Sequence, residues 1–186
     1  NYRGNVMNLN LGEFFIYLIT KKNFYGRLAS SLERRFKKGL GTLAVGIRDG
    51  RAILYYDTSF LSDLTLPAGM FALEHEMLHL VLDHIPRYLE LLAMQPTKEA
   101  RLKASTVYNI AMDCAINTML RNTEGFNDIE TNLKDKARKA HEAACAKAKE
   151  AADAKGESFE APPFDEEKAG MCLPEKFGLP MEGSFE

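Results

Sequence analysis

The 186-residue sequence predicts an α+β domain, mostly helical, with a small antiparallel hairpin packed on its most apolar helix. Three observations carry this expectation. Several segments repeat apolar residues at helical spacing. One Asp-Gly pair separates two short runs rich in β-branched and aromatic residues. The length suits a single domain that buries a core without disulfide or metal staples.

Residues 9–20 place Leu9, Leu11, Phe14, Phe15, Leu18 and Ile19 on one helix face. A second helix is expected over 24–38, closed by Gly39 and Gly41. Its surroundings are basic, with Lys21, Lys22, Arg27, Arg34, Arg35, Lys37 and Lys38 against Glu33 alone, which reads as a solvated face. Thr42–Arg48 and Arg51–Asp57 read as strands joined by Asp49-Gly50, the pair that a tight hairpin turn favours. Pro67 can open the next helix, expected over 67–83, because a missing N–H costs nothing in the first turn. Pro86 argues against a helical Ile85, so that helix should stop nearby.

Two more helices are expected over 98–103 and 106–121, with Ser105 or Thr106 as cap. Residues 134–154 are Ala- and Lys-rich with no large apolar side chain, and read as an exposed helix or mobile insertion. The acidic stretch 150–167 contains Pro162-Pro163 and reads as linker. Pro174, Gly178, Pro180 and Gly183 mark a C-terminal loop.

Composition narrows the function classes. Hydrophobic residues make up 46%, charged residues 27%, and the net charge is -2, which excludes a globally basic nucleic-acid binder and an acidic disordered chain. The near-neutral total is a cancellation between the basic 21–38 and the acidic 150–167. Apolar runs are too short to cross a bilayer, and no secretion signal is visible. Cys114, Cys145 and Cys172 show no C-x-x-C spacing and are expected as reduced thiols of a cytoplasmic protein. No internal repeat is evident. A first residue of Asn1 suggests a trimmed or processed chain.

The segment that carries chemistry is Leu73-Glu74-His75-Glu76-Met77-Leu78-His79, an H-E-x-x-H motif on an expected helix. Residues four apart lie about 40° apart around a helix, so His75 and His79 share a face and can bind one zinc ion. Glu76 leans over that face and can accept a proton from water beside the metal. Chance gives this motif in on the order of one chain in a few hundred. Its setting argues against chance: Met70, Phe71, Leu73, Met77, Leu78, Leu80, Val81 and Leu82 surround it, and unpaired polar groups there would be costly.

Such a site needs a third ligand and an open fourth position. Two candidates stand. Asp113 belongs to the polar line Asn109, Asp113 and Asn117, spaced four apart on an otherwise apolar helix. His84 follows His79 by five residues and reaches the metal only if the helix ends first. Whichever is not a ligand can orient one. Imidazole and carboxylate suit zinc, nickel and iron alike.

The run from Leu73 to His84, followed by Arg87, resembles the metallopeptidase domain found beside von Willebrand factor A-like domains. That family carries H-E-x-x-H, a further His, an Arg, and a later helix similar to Asn109–Asn117 with Ala111, Asp113 and Asn117 in register. The likeness takes in the helix–hairpin–helix order upstream and Leu173–Pro180 downstream, so it spans about 10–125 and 171–186, with 134–165 as an insertion. Asp83 stands where many relatives have Gly.

The resemblance implies a zincin-like fold and a single metallopeptidase-like domain over 1–186, the N-terminal part of a longer bacterial or phage protein. It further implies a von Willebrand factor A-like domain and a MoxR-type ATPase as partners, and supporting roles for Asn109, Asn117 and Arg87. The expected activity is zinc-dependent peptide hydrolysis with Glu76 as general base and His75, His79 and either Asp113 or His84 as ligands. The peptide would lie along an edge of the 42–57 sheet, with Tyr108, Tyr88 or Arg87 available as an oxyanion donor. The alternatives are a non-enzymatic module braced by metal and, more remotely, nucleic-acid binding through 21–38.

Overall fold

The computed structural model describes residues 10–179. Asn10 opens α1 (Leu11–Lys21) through a capping box, its side chain accepting from Gly12 and Glu13 while Glu13 accepts from the Asn10 N–H. After α2 (Asn23–Ser31) come the strands β1 (Glu33–Phe36), β2 (Leu43–Arg48) and β3 (Arg51–Tyr56). The helices α3 (Thr58–Ser62), α4 (Leu66–Val81), α5 (His84–Ala93), α6 (Lys98–Leu120) and α7 (Phe126–Asp153) follow, and Pro174–Phe177 forms a 3-10 turn. Leu9, Pro180 and Gly183 lie outside the described residues.

The α+β class holds, with a correction to the sheet. It has three strands in the order β1-β3-β2, with β2–β3 the expected antiparallel hairpin and β1 parallel to β3. The helix expected over 24–38 therefore stops at Ser31, and its second half is strand. Pairing with Ile53–Tyr56 overrides the helix propensity of Arg34 and Arg35. Arg34 also lies over the Phe15 ring at 5.4 Å, and Phe36 packs on Tyr56. The basic residues are thus spread over α1, α2, the junction between them, the edge strand β1 and the turn after it, and charge on an edge strand discourages further pairing. Of these cations Lys22 is paired with Glu74 and Arg35 with Glu33.

Two other boundaries differ. Lys98–Leu120 is one helix, capped by Thr97, whose Oγ1 accepts from Ala100 N at 3.1 Å. Ser105 and Thr106 are interior: Thr106 bonds back to the Leu102 carbonyl and Ser105 meets the Tyr88 hydroxyl. Ile85 is helical, because Pro86 falls in the first turn of α5, where its N–H has no partner to lose. The break lies earlier, at Asp83, whose φ of 57° and ψ of 30° are left-handed.

The core surrounds α4, which packs against α1, α2, α5, α6, α7 and β2. Phe14, Leu18, Leu54, Leu73, Met77 and Ile116 are fully buried around it, each contributing roughly 1.5–3 kcal/mol. Beside the motif, buried Glu74 binds Lys22 through both carboxylate oxygens, tying the α1–α2 junction to α4. Phe126 and Ile129 root α7 in this core, while residues beyond 134 are mostly exposed. The following chain returns along α7, held by Arg138–Glu166 and by His141 to the Pro162 carbonyl. No helix among the described residues is long and apolar enough to cross a membrane.

Candidate metal centre

Thr65 caps α4 by accepting from Ala68 N, and the helix runs unbroken through the motif to Val81. His75 and His79 therefore stand one turn apart, with their Nε2 atoms 3.2 Å from each other. From α6, Asp113 brings Oδ1 to 3.4 Å from His75 Nε2 and 3.3 Å from His79 Nε2. Ligand atoms about 2.0–2.1 Å from a tetrahedral zinc ion stand about 3.3–3.4 Å apart. The three atoms thus form one face of such a tetrahedron, and this His-His-Asp cluster can hold a metal ion.

The outer ring nitrogens are also placed. His75 Nδ1 lies 3.0 Å from Asn117 Oδ1. Asn117 Nδ2 donates to the Cys172 carbonyl at 2.9 Å, which turns Oδ1 toward His75. The imidazole accordingly carries its proton at Nδ1 and presents a lone pair at Nε2. His79 Nδ1 lies 3.2 Å from His84 Nδ1. So the structure brings Asp113 to the two Nε2 atoms and sets His84 against the far side of His79. The left-handed turn at Asp83 causes this, since it redirects the chain before His84.

Glu76 is not part of the triangle. Its Oε2 accepts the Val45 N–H of β2 at 2.8 Å, leaving Oε1 for other partners. Asn109 is exposed at the rim of the cleft. Among the described residues, no side-chain hydrogen bond joins Asn109 or Arg87 to the cluster. Tyr88 lines the cleft, although its hydroxyl meets Ser105 at 2.6 Å, whereas Tyr108 and Arg87 lie outside the lining.

Electrostatics follow from this geometry. Burial opposes the His75 imidazolium, but the Asp113 hydrogen bond and the Glu76 charge outweigh it, so its pKa is raised. Burial also raises Glu76, against the pull of His75 and His79. In Asp113 burial is overcome by the two histidines whenever they are protonated on Nε2, and the carboxyl is held below its ordinary range. His84 is lowered to about 4, first by burial and then by His79 and Arg87, so it is neutral at pH 7 and able to accept the His79 Nδ1 proton.

The cluster opens into a cleft of about 770 Å³ between the β2 edge, α4, α5, α6 and residues 170–172. Among the described residues, no carboxylate or cation other than Glu76, Asp113 and the three histidines lines it. Sequence reasoning missed the Val45 amide and the Cys172 carbonyl. Both are backbone groups, and no residue type signals them.

An H-E-x-x-H helix, a carboxylate from a facing helix and an open cleft define a domain with a candidate metal site. The chain belongs to the family described as "Putative metallopeptidase domain", whose pattern matches residues 15–128. No curated protein and no solved structure gives a significant match.

Proposed function

We propose that the chain is a zinc-dependent peptidase in which His75, His79 and Asp113 hold the ion and Glu76 is the general base. The observation that carries this reading is the triangle of two Nε2 atoms and one carboxylate oxygen, with sides of 3.2–3.4 Å, at the floor of an open cleft. A bound divalent ion would supply Lewis acidity, lowering the pKa of water toward 7 and polarising a carbonyl.

The chain's own groups do the rest. Val45 N–H fixes Glu76 Oε2, so Oε1 takes a proton from the attacking water and returns it to the leaving amine. β2 lies at the sheet edge, and Val45 N–H points away from β3. By the alternation of antiparallel pairing, the main-chain groups of Leu43 and Ile47 share that orientation. They can pair with an extended peptide, as strand addition requires.

A metal brace with no catalysis would need a closed set of four ligands. Three converging donors and a fourth direction facing the cleft favour hydrolysis instead. The test is cleavage of a quenched-fluorescence peptide library by zinc-loaded protein, with and without chelator. Glu76→Gln should keep zinc bound and cut the rate about 10²–10⁴-fold. Turnover by Glu76→Gln at the parent rate would contradict the mechanism.

A further inference from the structure

The segment following the acidic stretch is joined to the metal centre by hydrogen bonds linked through the Met171–Cys172 backbone, and they begin outside the cleft. Glu130, on α7, accepts the Met171 N–H at 2.6 Å. Its other oxygen faces Lys134 at 3.2 Å and Lys176 at 3.4 Å. Lys176 also donates to the Ala169 carbonyl at 2.5 Å, so one carboxylate and one ammonium clamp both sides of Gly170. The next residue along, Cys172, offers its carbonyl to Asn117, and Asn117 receives the His75 proton.

Gly170 makes this approach possible. Its φ is 89°, a conformation that L side chains rarely adopt, and a Cβ there would lie 2.5 Å from the Glu130 carboxylate oxygens. Ala169, Met171 and Leu173 are buried, so the segment is seated in the core and not draped over it. A hydrogen bond from a backbone N–H is directional, so it sets the peptide orientation in a way that apolar packing does not.

We propose that Glu130 is a positioning residue for the metal centre, and that closure of residues 169–173 and metal binding favour each other. The inference rests on His75, His79 and Asp113 being metal ligands. Linkage makes the effect reciprocal: what loosens the segment weakens the ion, and loss of the ion loosens the segment. Residues that orient ligands typically contribute 10–100-fold in metal affinity, and Glu130 acts one step further out.

The experiment uses the whole chain and zinc as probe. Affinity is read by chelator competition for the parent, Glu130→Ala, Glu130→Gln and Gly170→Ala. Hydrogen exchange of the parent and of Glu130→Ala is followed with and without zinc. Glu130→Ala and Gly170→Ala should bind zinc about tenfold more weakly. Glu130→Gln, whose amide oxygen can still accept from Met171, should stay within about threefold of the parent. Zinc should slow exchange at 169–173 in the parent and not in Glu130→Ala.

Parent-like affinity in both Glu130→Ala and Gly170→Ala would overturn the proposal. So would exchange at 169–173 that is indifferent to zinc, a result that needs no variant to fold. A parent protein that binds no divalent ion would instead overturn the ligand assignment, and this inference with it.

Discussion

Both nitrogens of His75 are committed, Nε2 toward His79 and Asp113 and Nδ1 to Asn117, and that double commitment fixes tautomer and ring angle together. A neutral His84 does the equivalent for His79 from the other side. In its neutral form each imidazole can therefore carry its proton on the outer nitrogen and turn Nε2 toward an ion, which displaces any proton shared there with Asp113. Asn117 is nearly buried, at 3% exposure, and its amide has no role that a solvent-facing asparagine would share. Replacing it with Ala should weaken zinc binding about 10–100-fold while leaving the stoichiometry at one ion. Chelator competition measures this; unchanged affinity would mean that His75 is held by packing alone.

Among the elements, the turn between α4 and α5 decides which residues meet. Asp83 is left-handed at φ 57°, a conformation that Asp tolerates better than most residues but worse than Gly. Asp83→Gly should therefore be neutral or stabilising by up to about 1 kcal/mol, and Asp83→Val should cost about 1–2 kcal/mol. Thermal unfolding of the two variants checks this; a strongly destabilised Asp83→Gly would show that the aspartate side chain has a function of its own.

The same turn shows how far the sequence could be read. H-E-x-x-H is a local pattern, and helix geometry alone places His75 and His79 together. Asp113 was legible because Asn109, Asp113 and Asn117 form a polar line at helical spacing. Which of Asp113 and His84 stands beside the two Nε2 atoms was not legible, because it depends on the backbone turn at Asp83. Strand β1 was hidden for a related reason: its partner, Ile53–Tyr56, is twenty residues away, and Arg-Arg-Phe-Lys resembles a helix until that partner is known. Ser105 and Thr106 look like caps that would divide α6, yet Thr106 bonds back to the Leu102 carbonyl and Ser105 meets Tyr88 of α5, so the helix runs through them.

Across the whole molecule, α4 acts as the central member and other elements bring single polar groups to it. Lys22 reaches Glu74 from the α1–α2 junction, Val45 N–H reaches Glu76 from the sheet, and Asp113 and Asn117 arrive from α6. Global stability should carry a signature of this tying. Asp57 joins three regions: it follows β3, caps α3 through Ser59 N, and accepts from Gly41 N. The Ser59 hydroxyl, then the Gly41 amide, hold its carboxyl at about 2. Because the folded value lies below the unfolded one of about 3.9, the stabilisation is complete above that pH and is lost as pH falls toward 2. In urea titrations the gap between the parent and Asp57→Asn should be constant from pH 7 to 5 and close between pH 4 and 2. A gap that persists unchanged at pH 2 would show that the charge contributes nothing.

The central claim concerns where an ion sits. The most direct measurement is a pair of anomalous difference maps from crystals of zinc-loaded protein, collected on either side of the zinc absorption edge. With His75, His79 and Asp113 as ligands, one peak should appear, only above the edge, about 2 Å from His75 Nε2, His79 Nε2 and an Asp113 oxygen. A peak coordinated by His84 in place of Asp113, or no peak inside that triangle, would contradict it.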